Sequence, residues 1–365
     1  MKKMSFKRML SLLLCLVLMS CFLSSCSTKS LGEPLMTLED HEITVNMYRL
    51  WLSRVKGSYG GSSDTIWDEI AADGKTYNEV FTGFVKQNAM TFLCAMHEFK
   101  ELGLKLPESE IKEIDETMKT MVEERGGGSK SSLNSILSQF GVNYDILREI
   151  YIIEAKLNYL KEHLYGAGGT ETISNTLRNE YYQNNYVRIK QIFIYTANKP
   201  VTDAEGNYVY DENGYVETRD YTAAELAEQQ KKAEQVMTSL TAGQDFDLLM
   251  ASQNEDSAAS TYPNGYYFTK SSQYVESVIT AAFELAENEF TKVESEYGIH
   301  IIKRLPLDDN GYSASANSDF FSDFEETLET EIFTARLSKY EENIKIDEDL
   351  LAKYDVKSAV ANTAY

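Results

Sequence analysis

Along the first part of the chain, hydrophobic residues recur every three to four positions, the spacing of one face of an α-helix. Leu35 to Leu38 predicts a strand and Glu39 to Glu42 a turn. From Ile43, the positions Val45, Tyr48, Leu52 and Val55 predict a helix that Gly57 ends. A longer helix is expected over 77–102, carried by Val80, Phe81, Phe84, Val85, Phe92 and Phe99 and stopped by Gly103. Pro107 opens a third stripe of Ile111, Ile114, Met118, Met121 and Val122, which the three glycines at 126–128 break. Helices at about 131–140 and 144–164 follow, separated by Gly141.

At Tyr186 the period changes from helical to alternating. Val187, Ile189, Gln191, Phe193 and Tyr195 share one side of a predicted strand. Residues 207–217 predict a hairpin with a tight Asn213-Gly214 turn. A helix over 223–240 ends before Gly243, and Phe246 to Leu249 open another. Asn264-Gly265 introduces the strand 266–268, a helix covers 275–285, and Tyr297 to Lys303 predicts a closing strand. From Asp319 to Tyr340, Phe320, Phe321, Phe324, Leu328, Ile332 and Leu337 return to helical spacing. An isolated amphipathic helix is marginal in water. The last helix is therefore expected to pack back on the first segment, giving an α+β chain with one domain inserted into a helical one.

The amino terminus changes the boundaries of that picture. Lys2, Lys3, Lys7 and Arg8 precede an apolar run from Met9 to Leu23, an export signal too short for a comfortable membrane span. It ends in Leu23-Ser24-Ser25-Cys26, which resembles the lipobox of bacterial lipoproteins, although Leu18-Met19-Ser20-Cys21 nearly fits as well. That resemblance implies removal of 1–25 and acylation of Cys26 at the extracytoplasmic face of the cell membrane, with 26–34 as tether. An uncleaved transmembrane anchor would tether the chain to the same face. Of four cysteines only Cys94 then remains, in an apolar helical stretch, so an internal disulfide is excluded and a buried inert thiol expected. The chain has 57 acidic and 35 basic residues, net −22, and losing the four basic residues of the signal brings it to −26. Such a field argues against nucleic acid as partner.

Most enzyme signatures are absent. The glycines at 126–128 follow a charged helix rather than a strand, which excludes a phosphate-binding loop. His97-Glu98 has no second histidine one turn on, and four dispersed histidines predict no metal site and no cofactor. One constellation remains: the strand 187–195, Asp245-Phe246-Asp247, Asn254-Glu255-Asp256, Asn264-Gly265, Ala281 to Leu285, and Tyr297-Gly298-Ile299-His300-Ile301-Ile302. Over about 120 residues this order resembles the parvulin family of peptidyl-prolyl isomerases. With the lipobox and helical flanks, the chain resembles parvulin-type foldase lipoproteins of the PrsA kind, relatives of the chaperone SurA.

That resemblance implies a helical chaperone-like domain at 35–179, a parvulin-like domain at 180–308 built on a four-stranded antiparallel sheet ringed by helices, and a segment 309–365 packing back on the helical domain. It places His300 on the family's second histidine and Asp256 on its acid, with Gln191 where the first histidine stands. Tyr274 and Val278 fall on the methionine and phenylalanine that hold proline, Ser295 on a small polar rim position, and Phe268 beside them as a further substrate contact. Read from the residues alone, a single histidine in an apolar strand fits a structural role as well as a catalytic one, and Asp256 fits a turn cap. Implied partners are newly exported unfolded proteins and prolyl peptides. A homodimer through the helical part fits the architecture without being decided by it. A membrane-anchored foldase with weak isomerase activity is the first reading, a non-enzymatic holdase with a degenerate parvulin domain the second, and a surface solute-binding lipoprotein the third.

Overall fold

The computed structural model describes residues 31–59, 65–71 and 74–365. The expected signal segment and Cys26 lie outside the described residues. The chain divides into two compact units, one running to Thr172 and resuming at Thr330–Tyr365, the other spanning Ile173–Glu329.

In the first unit, β1 (Pro34–Leu38) turns at Glu39, whose φ is 52°, into β2 (His41–Thr44). The strand continues where the sequence predicts the turn and the first helical residues. Helix α1 (Val45–Tyr59) runs through Gly57 rather than ending there. A Cβ on Gly57 would sit 2.1 Å from the carbonyl oxygen of Asn362, so glycine is kept for close packing rather than as a stop. Helix α2 (Tyr77–Glu101) starts at a capping box, Thr76 accepting from the NH of Glu79 while the Glu79 carboxylate accepts from the NH of Thr76. Helices α3 (Glu108–Glu124), α4 (Lys130–Leu137) and α5 (Tyr144–Tyr165) follow. Their stripes close on one core containing Tyr48, Leu52, Leu93, Met118, Leu147 and Leu160. Cys94 lies in this core, and burial pushes its thiol up to about 12.

The second unit opens with α6 (Asn175–Asn185), a helix the apolar pattern does not signal. It then forms β3 (Val187–Tyr195) and an excursion carrying β4 (Asn198–Pro200) and β5 (Thr218–Asp220). The excursion tip departs from a two-residue Asn-Gly turn. Only Gly214 is left-handed there, and Asp211 Oδ1 accepts from the NH groups of Asn213 and Tyr215. Helices α7 (Ala223–Thr241) and α8 (Phe246–Gln253), β6 (Tyr266–Phe268), α9 (Glu276–Glu284), β7 (Phe290–Glu294) and β8 (Gly298–Leu305) complete the unit. The sheet is antiparallel in the order β6-β3-β8-β7. Strand β7 carries the half-buried residues Phe290 and Val293 and is not legible as an alternating run.

The register pairs Gln191 with Ile302 and Phe193 with His300, which puts Gln191, Phe193, Tyr195 and His300 on one face. On the opposite face Ile192, Ile194, Ile299 and Ile301 meet Ala233, Val236 and Leu240 of α7 and Phe246 and Leu249 of α8. The first face is covered at one end by Val278 and Ala282 of α9, together with Tyr266 and Phe268, against Val187, Ile189 and Ile302. Beyond that cover it is open.

Residues 309–329 stay with the second unit. Phe320 and Phe321 stack against Tyr267, Phe321 and Phe324 against Tyr186, and Asn317 donates to the Tyr267 hydroxyl at 3.1 Å. The predicted helix therefore begins late, and α10 (Phe324–Ser338) starts at the last ring of this aromatic cluster. From Thr330 the chain belongs to the first unit, where β9 (Lys345–Ile346) pairs with β1 and α11 (Glu348–Leu351) follows. Among the described residues no helix is long and apolar enough to cross a membrane.

Candidate functional site

The open face of the sheet is the floor of a cavity of about 840 Å³. Strand β3 contributes Gln191, Phe193 and Tyr195, and β8 contributes His300. One wall is Gln273 to Ser277, at the start of α9. The other is Ser295 to Tyr297, in the turn between β7 and β8, and Asp256 closes the end. Gly298 permits this geometry. A Cβ there would lie 2.3 Å from the carbonyl oxygen of Ile194 and 2.8 Å from the Phe193 ring, so only glycine lets β8 approach β3 two residues before His300.

Asp256 is brought to the floor by hydrogen bonds that replace a missing strand. Past Ile189, β3 has no strand partner on its β6 side. There Asn254 Oδ1 accepts from the NH of Phe193 at 2.7 Å, the NH of Glu255 donates to the Phe193 carbonyl at 2.8 Å, and Glu255 Oε2 accepts from the NH of Tyr195 at 2.7 Å. Asn254 Oδ1 also accepts from the NH of Asp256 at 3.1 Å. The edge is thus capped by two consecutive residues, Asn254 and Glu255, and the acid is the next in sequence.

Gln191 and His300, each 2% exposed, meet at the centre, with His300 Nδ1 3.1 Å from Gln191 Oε1. The hydrogen-bond partners assign the amide direction and the ring tautomer in this row. A carboxylate only accepts, so Gln191 Nε2 donates to Asp256 Oδ2 at 2.7 Å and to the Tyr274 hydroxyl oxygen at 2.9 Å, leaving Oε1 as acceptor. His300 Nδ1 therefore carries the ring proton. Its Nε2 accepts from the Ser295 hydroxyl at 2.8 Å, nearer than the competing Gly298 carbonyl at 3.3 Å. Tyr266 donates to the same Asp256 Oδ2 at 2.7 Å, and Asp256 Oδ1 caps the following turn by accepting from the NH of Ala258 at 2.9 Å. The cap and the network coexist in one side chain.

Burial outweighs the attraction of Asp256 and lowers the His300 pKa to about 4, so the imidazole is neutral at ordinary pH. Burial also raises the Tyr274 and Tyr266 phenols, with the Asp256 carboxylate adding to the effect at Tyr266. What results is a fully hydrogen-bonded polar floor, a neutral imidazole and an amide with the Asp256 carboxylate at one end, beneath the aromatic rings of Phe193 and Tyr274.

Of the residues picked from sequence, the structure brings together His300, Gln191, Asp256, Tyr274 and Ser295. Val278 and Phe268 lie elsewhere. Val278 is fully buried on the sheet-facing side of α9, and Phe268 stacks on Tyr274 at 4.8 Å, so both support the cavity without lining it. Phe193 and Tyr195 were readable as the next two positions on Gln191's side of the strand. Glu276 and Glu296 carry no sequence signal, because two separate segments bring them to the rim, and Tyr297 stands in the motif before His300 without a role being read for it. Among the described residues, no group of three or more His, Cys, Asp or Glu side chains could hold a metal ion.

A scan of protein families matches residues 175–305 to the PPIC-type peptidyl-prolyl isomerase domain. This segment is a parvulin-type domain. Among curated proteins none matches the chain. Solved structures similar to the chain include PrsA from Bacillus subtilis, at 20% identity over 83% of this chain and 94% of that one, with a TM-score of 0.24. They also include the PrsA peptidylprolyl isomerase from Bacillus cereus, at 16% identity over 78% and 87%, with a TM-score of 0.30. A chain from the study of PEB4 and Cj1289, two SurA-like chaperones of Campylobacter jejuni, is 14% identical over 81% and 98%, with a TM-score of 0.20. The domain match identifies the segment, and the cavity just described is the cavity of the parvulin domain.

Proposed function

We propose that this chain is an extracytoplasmic foldase. In this reading its helical unit holds unfolded, newly exported polypeptides and its parvulin domain binds their prolyl segments and isomerises X–Pro bonds weakly, with Cys26 lipidated to anchor the chain at the membrane. The observation that carries the reading is the neutral His300–Gln191 pair on the floor of a cavity with aromatic rings in its lining, inside a domain of this family.

Amide rotation costs about 18–20 kcal/mol because resonance must be broken. No covalent step is needed. A half-rotated amide has a more basic nitrogen and a less polarised carbonyl than a planar one, so an environment that excludes water from the carbonyl favours the twisted form. Phe193 and Tyr274 supply apolar ring surface for the pyrrolidine. The centre of the floor offers a neutral imidazole and hydroxyls, with the Asp256 carboxylate set to one side and engaged by Gln191 and Tyr266, which suits a reaction that develops no charge. Gln191 holds His300 in one tautomer through its amide oxygen, and Asp256 and Tyr274 hold Gln191.

The test is exchange spectroscopy of a prolyl tetrapeptide with the full chain. We expect acceleration over background and its reduction by at least about tenfold in His300→Ala, the usual scale for a group acting in the transition state. Absence of acceleration in a folded preparation removes the enzyme reading and leaves the holdase. If His300→Ala alters neither turnover nor peptide binding, the site assignment fails.

A further inference from the structure

The cavity is walled by acids and aromatic rings, and among the described residues no lysine or arginine lines it. The three carboxylates differ in their engagement. Asp256 is occupied by Gln191, Tyr266 and the NH of Ala258. Glu276, in the first turn of α9, and Glu296, between β7 and β8, are both exposed, and neither has an ion pair among the described residues. Their surroundings sharpen the contrast. Glu255 and Glu294, each next in sequence or two residues from a lining position, hold Lys232 at 2.7 Å and Lys292 at 3.3 Å. Two neighbouring acids thus have a cation of their own, and the two at the rim have none among the described residues.

The two rim segments are tied together, since Ser277 donates to the Glu294 carbonyl at 3.3 Å. Tyr195, Tyr274 and Tyr297 complete the rim, at 42%, 38% and 53% exposure. Tyrosine ring faces attract ammonium and guanidinium groups, and long cationic side chains lay their methylenes on such rings. The floor adds no opposing charge. A carboxylate brought into this groove would meet two glutamates that have no cation among the described residues, Glu296 being held by the Tyr297 hydroxyl alone, in a molecule of net charge −22, whereas a cation would meet complementary charge.

We propose that the groove selects prolyl segments in which a lysine or arginine adjoins the proline, the cation lying between Glu276, Glu296 and the rim tyrosines. This rests on the reading of the cavity as the prolyl-binding site.

The test uses the full chain and four tetrapeptides differing only in the residue before proline: Arg, Lys, Ala and Glu. Turnover is read by exchange spectroscopy, and binding is read independently from peptide chemical shifts. The Arg and Lys peptides should exceed Ala by about fivefold, the upper range for an exposed ion pair, with Glu last. That advantage should shrink at about 1 M salt, where screening acts within about 3 Å. The Glu276→Gln/Glu296→Gln double variant, checked for folding by circular dichroism, should bring the Arg-to-Ala ratio towards one. Equal values for Arg and Ala, or a preference for Ala or Glu, overturn the proposal. The two readings separate cleanly: turnover without preference sinks the cation proposal alone, Arg-selective binding without turnover sinks the isomerase reading alone, and neither binding nor turnover sinks both.

Discussion

His300 shows how far one residue is defined by its neighbours. In the sequence it is a histidine in an apolar strand, equally at home as a structural or a functional group. In the fold both ring nitrogens are engaged, Nδ1 by Gln191 and Nε2 by Ser295, and burial holds the pKa near 4. The unfolded chain has the ordinary histidine value of about 6.5. Between those values the unfolded state binds the proton that the folded state refuses. His300 should therefore cost stability progressively as pH falls from about 6.5 to about 4, and nothing further below. Prolyl turnover should be flat from pH 8 to about 5 and fall only near pH 4. Activity profiles together with histidine ring resonances read this directly, and an activity midpoint near 6.5 would contradict it. The pairing of Gln191 with His300 could be anticipated from the motif order. The direction of the amide could not, because it depends on Asp256 and Tyr274, which are distant in the chain.

At the scale of elements, strands and helices with strong periods were legible, and their ends were less so. Helices α2, α3, α5 and α7 follow their apolar stripes closely. Strand β2 and the passage of α1 through Gly57 did not, because a hairpin partner and the approach of Asn362 override local propensity. Strand β7 was invisible for a related reason: an edge strand with half-buried positions has little hydrophobic contrast. The junction of β3 and β8 yields a specific expectation. Gly298→Ala places a methyl where only 2.3 Å separates it from the Ile194 carbonyl, so the strands must part. The variant should lose about 1–3 kcal/mol, the usual cost of overpacking. It should also lower prolyl turnover by moving His300, while helical circular dichroism is retained. A variant as stable and active as the parent would show that β8 tolerates the shift.

Across the whole molecule, the order of segments decides what each core contains. The first unit is discontinuous, and Glu98 of α2 marks the join. It is 2% exposed, and burial alone would raise its carboxyl pKa. Hydrogen bonds from Tyr340, Arg336 and Lys339 outweigh that and hold it low. Arg336→Met would leave a buried carboxylate short of one of its two cationic partners while Tyr340 and Lys339 stay, at a cost of about 1–3 kcal/mol. Chemical denaturation of the full chain should show that loss in the transition of the helical unit, and prolyl turnover should change little. The sequence by itself determined the alternation of helical and strand segments, the acidic charge, and the motif that locates a parvulin domain, because these depend on residues near one another in the chain. Only the tertiary structure decided that residues 309–329 join the second unit through an aromatic cluster, that Val278 and Phe268 support the cavity instead of lining it, and that Glu276 and Glu296 line the same rim. Those outcomes depend on strand register and on which turns converge, contacts between residues far apart whose energies no local pattern encodes.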